Sequence, residues 1–118
     1  MKSKTDIVIY HNPRCTKSRE TLCLLEEQGH KPQITEYLKN TPSEKELKQI
    51  LKMLGMKAEE IVRKKEPLFE QKYSKKKYSE AEWIKIMAKN PILMERPIVI
   101  KGNKAVIGRP PENVNKLL

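Results

Sequence analysis

The stretch YHNPRCTKSRETL, Tyr10 to Leu22, sets one thiol, Cys15, among Arg14, Arg19, Lys17, His11 and the hydroxyls of Thr16 and Ser18. A thiol becomes a strong nucleophile only as thiolate, and cations beside it favour that form. The group therefore suits nucleophilic attack on a small oxyanion or on a disulfide. His11 can serve as a base, as an electrostatic aid, or only as a polar strand end, and its residue type alone leaves these open. Cys15-Thr16-Lys17-Ser18 is C-x-x-S and carries no adjacent resolving thiol, which argues against a dithiol cycle. A tyrosine-phosphatase loop wants Arg six positions after its Cys, and here that position is Thr21.

The elements that must position this chemistry follow from the surrounding pattern. Ile7-Val8-Ile9-Tyr10 is a β-branched apolar run that predicts a buried strand, broken by His11-Asn12-Pro13. Ser18 to Gln28 predicts a helix, with Leu22, Cys23, Leu24 and Leu25 as its apolar face and Gly29 as its stop. Cys23 is thereby expected in packing rather than chemistry. Cys15 falls at the helix entry, where unpaired backbone N–H groups carry partial positive charge and bind anions. That field should depress its pKa.

Lys31–Leu38 predicts a second strand. Ser43 with Glu46, and Ser79 with Glu82, read as capping boxes opening two helices. Leu47, Ile50, Leu51 and Leu54 face inward on the first, which Gly55 ends. Trp83, Ile86 and Met87 face inward on the second, which Asn90-Pro91 ends. Ala58–Lys65 and Glu66–Lys72 predict short helices between them, before a lysine-rich loop at Ser74–Lys77. Pro97–Ile100 and Lys104–Ile107 form a hairpin across Lys101-Gly102-Asn103. Pro110-Pro111-Glu112 opens a last helix with Val114, Leu117 and Leu118 apolar. The order is β-α-β, a helical stretch, then β-β-α: an α/β chain of thioredoxin-like order with a helical insertion at about 43–90.

Composition narrows the partners. A chain of 118 residues predicts a single domain spanning 1–118. No apolar run approaches the roughly 20 residues of a membrane span. The basic start, Met1–Asp6, leads into only four apolar residues, too few for an export signal, so cytoplasm and reduced thiols are expected. On one helix, Cys15 and Cys23 would lie about 12 Å apart, too far for a disulfide. The net charge is +10, but aromatics are only 5%, which disfavours base stacking and turns attention to anionic small molecules. Lysines are scattered, whereas arginines are few: Arg14, Arg19, Arg63, Arg96 and Arg109. Arg offers the rigid fork of donors that fits an oxyanion.

Taken together, Tyr10-His11-Asn12-Pro13-Arg14-Cys15 with Ser18-Arg19, Arg63-Lys64 before Glu66-Pro67, Asn90-Pro91-Ile92-Leu93, Glu95-Arg96-Pro97-Ile98-Val99 and Gly108-Arg109-Pro110 resemble the ArsC-type arsenate reductases coupled to glutathione and glutaredoxin. The resemblance runs from Asp6 to Leu118. It implies a thioredoxin-like fold, cytoplasmic arsenic detoxification, and a covalent Cys15–arsenic adduct. Glutathione would displace the arsenic and glutaredoxin would clear the mixed disulfide. It implies Cys15 as the nucleophile and Arg63, Arg96 and Arg109 as the arginines around the anion; His11 and Ser18 are expected as further catalytic residues and Asn12 and Arg19 as further substrate contacts. No metal, bound cofactor, nucleic acid or membrane is implied; glutathione is a co-substrate. Arg96-Pro97 matches the family's cis-proline. Arg14, Thr16 and Lys17 depart from the small or uncharged residues that flank the thiol in the best-studied members. Two rivals share the fold: a glutathione-dependent thiol reductase and an Spx-like transcriptional adaptor, the latter usually carrying C-x-x-C.

Overall fold

The computed structural model of the chain describes residues 7–118; the basic start, Met1–Asp6, lies outside the described residues. The chain divides into two compact units, one formed by the residues up to Asn40 with Arg96–Leu118, the other by Thr41–Glu95.

The first unit holds β1 (Ile7–His11), α1 (Thr16–Glu27), β2 (Gln33–Glu36), β3 (Ile98–Lys101) and β4 (Lys104–Ile107). The sheet order is β2-β1-β3-β4, with β1 parallel to β2 and antiparallel to β3. β3 and β4 form the expected hairpin. This is the thioredoxin-like arrangement, and β1 is central because its alternate residues are all apolar up to His11. Ile7, Ile9 and His11 are its buried positions, which a strand's two-residue period places on one face. Ile7 and Ile9 pack there with Leu25 of α1, Val99 of β3 and Val114. Each such side chain contributes roughly 1.5–3 kcal/mol of burial. The same alternation carries His11 to the buried face at the strand's end.

Four expectations are corrected in this unit. α1 begins at Thr16, two residues before the predicted Ser18, and buries Ser18, Thr21 and Leu25. Those positions follow the i, i+3, i+7 stripe of a helix face, so Cys23 falls off the stripe and is exposed rather than packed. β2 is shorter than Lys31–Leu38: it is an edge strand, Pro32 has no N–H to offer, and Glu36 accepts from the N–H groups of Lys39 and Asn40 in the turn that ends it. Pro111–Lys116 is a 3-10 turn rather than an α-helix. It opens on two prolines without N–H groups, Pro110 as its cap and Pro111 as its first residue, and is only six residues long.

The second unit holds α2 (Glu44–Leu54), α3 (Pro67–Lys72) and α4 (Glu80–Lys89). Both capping boxes are formed, Ser43 with Glu46 and Ser79 with Glu82. Gly55 closes α2 in the left-handed region at φ 68°, where a side chain would be strained. Leu47, Ile50 and Leu51 of α2 and Trp83, Ile84, Ile86 and Met87 of α4 are buried. The predicted helix at Ala58–Lys65 is only a 3-10 turn, Ala58–Ile61. Its continuation is taken over by a bridge between Val62 and Met94. Arg63 N–H donates to Leu93 O and Glu95 N–H to Ile61 O, both at 2.7 Å.

Candidate active site

Cys15 is the N-cap of α1, in extended backbone conformation, and its carbonyl accepts from Arg19 N–H at 3.0 Å. The loop that delivers it is built by Asn12. Cys15 N–H donates to Asn12 O at 3.0 Å, closing a tight turn. Asn12 Oδ1 accepts from Arg14 N–H at 3.0 Å, and Asn12 N–H donates to Ser18 Oγ at 3.0 Å. Ser18 Oγ also lies 2.6 Å from His11 Nδ1, with both residues buried. The chain thus leaves β1, turns at Asn12–Cys15 and enters α1 pinned by the Ser18 hydroxyl. Arg19 braces the outside: its Nη1 donates to Pro13 O at 2.8 Å.

A cysteine at an N-cap has no side-chain oxygen to satisfy the first turn, and α1 has neither a side-chain cap bond nor an acidic residue there. The open N–H groups fall to the sulfur. Burial pushes the Cys15 pKa up, but the N–H of Ser18, the hydrogen-bonding and charge of the Arg96 guanidinium, and the N–H of Lys17 together leave it below the ordinary thiol value. Arg109 Nη1 is 3.8 Å from Cys15 Sγ and 3.5 Å from Arg96 O. Because Arg109 is exposed, water screens its charge, and Arg96 is the stronger influence on the thiol. His11 has a lowered pKa, chiefly through burial, with Glu36 opposing and Arg19 assisting. At neutral pH it is therefore an uncharged imidazole facing Ser18.

Of the residues singled out in the sequence, the first unit brings Arg96 and Arg109 to the sulfur, and His11, Asn12, Ser18 and Arg19 into the loop that presents it. Arg63 belongs to the second unit, where its guanidinium holds two carboxylates: Nη1 to Glu95 Oε1 at 2.7 Å and Nε to Glu66 Oε1 at 3.3 Å. Lys17 pairs with Glu20 at 3.5 Å, and Arg14 is exposed. Cys23 donates to Glu27 Oε1 at 3.4 Å, and that carboxylate pushes its pKa up. One thiol of α1 is thus electrostatically primed and the other suppressed.

Two residues to which the sequence assigns no site role, Gly108 and Thr21, stand at the site. Gly108 N–H donates to Pro97 O at 2.9 Å, which sets Arg96 and Arg109 at adjoining chain ends of β3 and β4. A Cβ on Gly108 would lie 2.7 Å from Thr21 Oγ1 and 2.9 Å from Pro97 Cγ, so only glycine permits this approach. Thr21 was legible as a second hydroxyl on the buried stripe of α1, in phase with Ser18. The peptide bonds Arg96–Pro97 and Arg109–Pro110 are both cis, the first as expected from the resemblance. Among the described residues no group of three or more His, Cys, Asp or Glu is placed to hold a metal ion, and no helix is long and apolar enough to cross a membrane.

Residues 10–117 match the model of the ArsC family. The chain is 47% identical over 114 residues to the uncharacterized protein YfgD of Escherichia coli, covering 95% of this chain and 96% of that one. It is 46% identical over 114 residues to an arsenate reductase of Haemophilus influenzae, covering 95% and 98%. The solved structure of an arsenate reductase from Vibrio cholerae superposes with a TM-score of 0.91 at 45% identity, covering 97% of this chain and 98% of that one.

Proposed function

The chain belongs to the ArsC family, and from that premise we propose that it is an arsenate reductase that works through a covalent Cys15–arsenic adduct. The observation that carries the reading is Cys15 Sγ at the open N-terminus of α1 with its pKa lowered by Ser18 N–H, Arg96 and Lys17 N–H, and with Arg109 Nη1 at 3.8 Å. The names of the Haemophilus and Vibrio relatives favour arsenate over other oxyanions.

The reaction follows from what these groups can do. Arsenate is bound as an anion by Arg96, Arg109 and the first-turn N–H groups. The Cys15 thiolate attacks arsenic, an S–As bond forms, and one arsenate oxygen leaves as water after taking up protons. The Ser18 hydroxyl and neutral His11 hold the loop that aims the sulfur. An external thiolate then attacks Cys15 sulfur. An S–S bond forms, the S–As electron pair stays on arsenic, and arsenic departs reduced by two electrons, as arsenite. A further thiol exchanges with the mixed disulfide and restores the Cys15 thiolate. Two thiols are oxidised to one disulfide for each arsenate reduced.

The external thiol is assigned to glutathione and the exchange to glutaredoxin. Cys23 is poorly suited to either role, because its ionisation is opposed by Glu27, and a helix rise of about 1.5 Å per residue sets it on the order of 12 Å along α1 from the N-cap. The reaction belongs in a reducing compartment, the cytoplasm, where such thiols are maintained. Arg63 joins the substrate contacts through the sequence resemblance.

The test is turnover of arsenate with glutathione and glutaredoxin, run beside reduction of a glutathione mixed disulfide without arsenate. The reading expects arsenite formation that needs both thiol components. Untouched arsenate with rapid disulfide reduction would replace it by the thiol-reductase reading.

A further inference from the structure

We propose that Thr21 is the positioning residue that couples the thiol-bearing end of α1 to the peptide carrying Arg109, so that sulfur and arginines are held in one geometry. The inference rests on the reading of Cys15, Arg96 and Arg109 as an oxyanion site.

Thr21 is fully buried, and its single O–H is shared between two carbonyls, Lys17 O at 2.8 Å and Gly108 O at 3.2 Å. The first belongs to the peptide whose N–H is that of Ser18, the foremost of the groups that lower the Cys15 pKa. A hydrogen bond donated to a peptide carbonyl strengthens the same peptide's N–H as a donor. The second carbonyl belongs to the peptide whose nitrogen is that of Arg109. A single hydroxyl thus joins the amide that faces the sulfur to the amide that launches the guanidinium.

Packing reinforces the link. Gly108 has no room for a Cβ between Thr21 and Pro97, and its N–H donates to Pro97 O at 2.9 Å, one residue from Arg96. Arg109 O is held from its other side by Asn113 Nδ2 at 3.1 Å. Shifting Thr21 would therefore move Arg96, Arg109 and the first turn of α1 relative to one another. A helix-surface threonine that made only the i−4 back-bond to Lys17 would leave the arginines unaffected.

The experiment uses Thr21→Val, which keeps the shape and removes the hydroxyl, and Thr21→Ser, which keeps the hydroxyl. Each is made in a Cys23→Ser background so that only Cys15 is alkylated. Thr21→Val is expected to raise the KM for arsenate roughly tenfold with kcat changed far less, and to move the pH midpoint of Cys15 alkylation upward. Thr21→Ser is expected to return both toward wild type. Gly108→Ala pushes on the same contact from the other side and should shift both readouts the same way; it decides the matter if Thr21→Val does not fold. A Thr21→Val protein with a lower melting temperature but an unchanged KM and alkylation midpoint would reduce Thr21 to a purely structural residue and overturn the proposal. The alkylation arm needs no arsenate. If wild type does not turn arsenate over, the functional reading fails while the titration still decides the role of Thr21.

Discussion

Helices α2 and α4 begin in one way and α1 in another. At Ser43 and Ser79 a serine hydroxyl takes the N–H of the third helical residue, and a glutamate returns to the cap's own N–H. Acidic residues, Glu44 and Glu46 or Glu80 and Glu82, fill the first turn. The protein thus supplies its own anion to the positive end of each of these helices. At α1 the cap is Cys15, with no side-chain cap bond and no acid in the first turn. Unspent N–H groups there face the Cys15 sulfur and lower its pKa. The two cysteines of α1 repeat the contrast within one helix: Cys15 is lowered by N–H groups and Arg96 against the cost of burial, whereas Cys23 is raised by Glu27.

The contrast can be broken by mutation. The largest effect is expected from Cys15→Ser, which should abolish arsenate turnover and leave the fold intact. It should also convert α1 into a helix of the other kind, since serine caps well, and so gain stability of up to about 1 kcal/mol. The sign with pH follows from the lowered thiol. Its stabilising contribution is present above the unfolded thiol's pKa and is lost as pH falls through the folded value. The advantage of the serine variant over wild type should therefore grow on acidification, as measured by denaturant titration at several pH values. A variant that turns over arsenate would contradict the mechanism.

A smaller effect is expected from giving α1 the acid it lacks. Thr16 is exposed at the first helical position, and a carboxylate at a helix start interacts by about 0.3–1 kcal/mol. Thr16→Glu should raise the Cys15 alkylation midpoint and raise the KM for arsenate a few-fold. No change in either would mean that the helix start contributes nothing to the site. Ser79→Ala should cost about 1 kcal/mol of stability with kcat and KM unaltered, because that cap serves only its own helix. Smallest of all is Cys23→Ser: the exposed thiol should be dispensable for both turnover and melting temperature, and loss of turnover would make it a participant.

The local parts of this architecture were legible because they are written locally. S-x-x-E spells a capping box, Gly55 a left-handed stop, and Gly102-Asn103 a hairpin turn, and each stands where it was expected. The exposure of Cys23 was not legible because it depends on which way a face turns. Leu22, Leu24 and Leu25 suggested that Cys23 is buried, but the buried stripe runs through Ser18, Thr21 and Leu25. α1 starts at Thr16, two residues before the predicted Ser18, because a helix without a conventional cap carries no start signal. For the site, residue types pointed to the thiol, and the family resemblance pointed to Arg96 and Arg109 beside it. The pairing of Arg63 with Glu95 and the contact of Thr21 with Gly108 span 32 and 87 residues of chain, so neither partner can be read from its neighbours.

One measurement bears most directly on the thiolate at the open helix end. Alkylation rates are followed against pH for Cys15 in a Cys23→Ser protein and for Cys23 in a Cys15→Ser protein. The account predicts a lower midpoint for Cys15 than for Cys23, with arsenate protecting Cys15 alone. Coincident midpoints, or Cys23 ionising first, would contradict it.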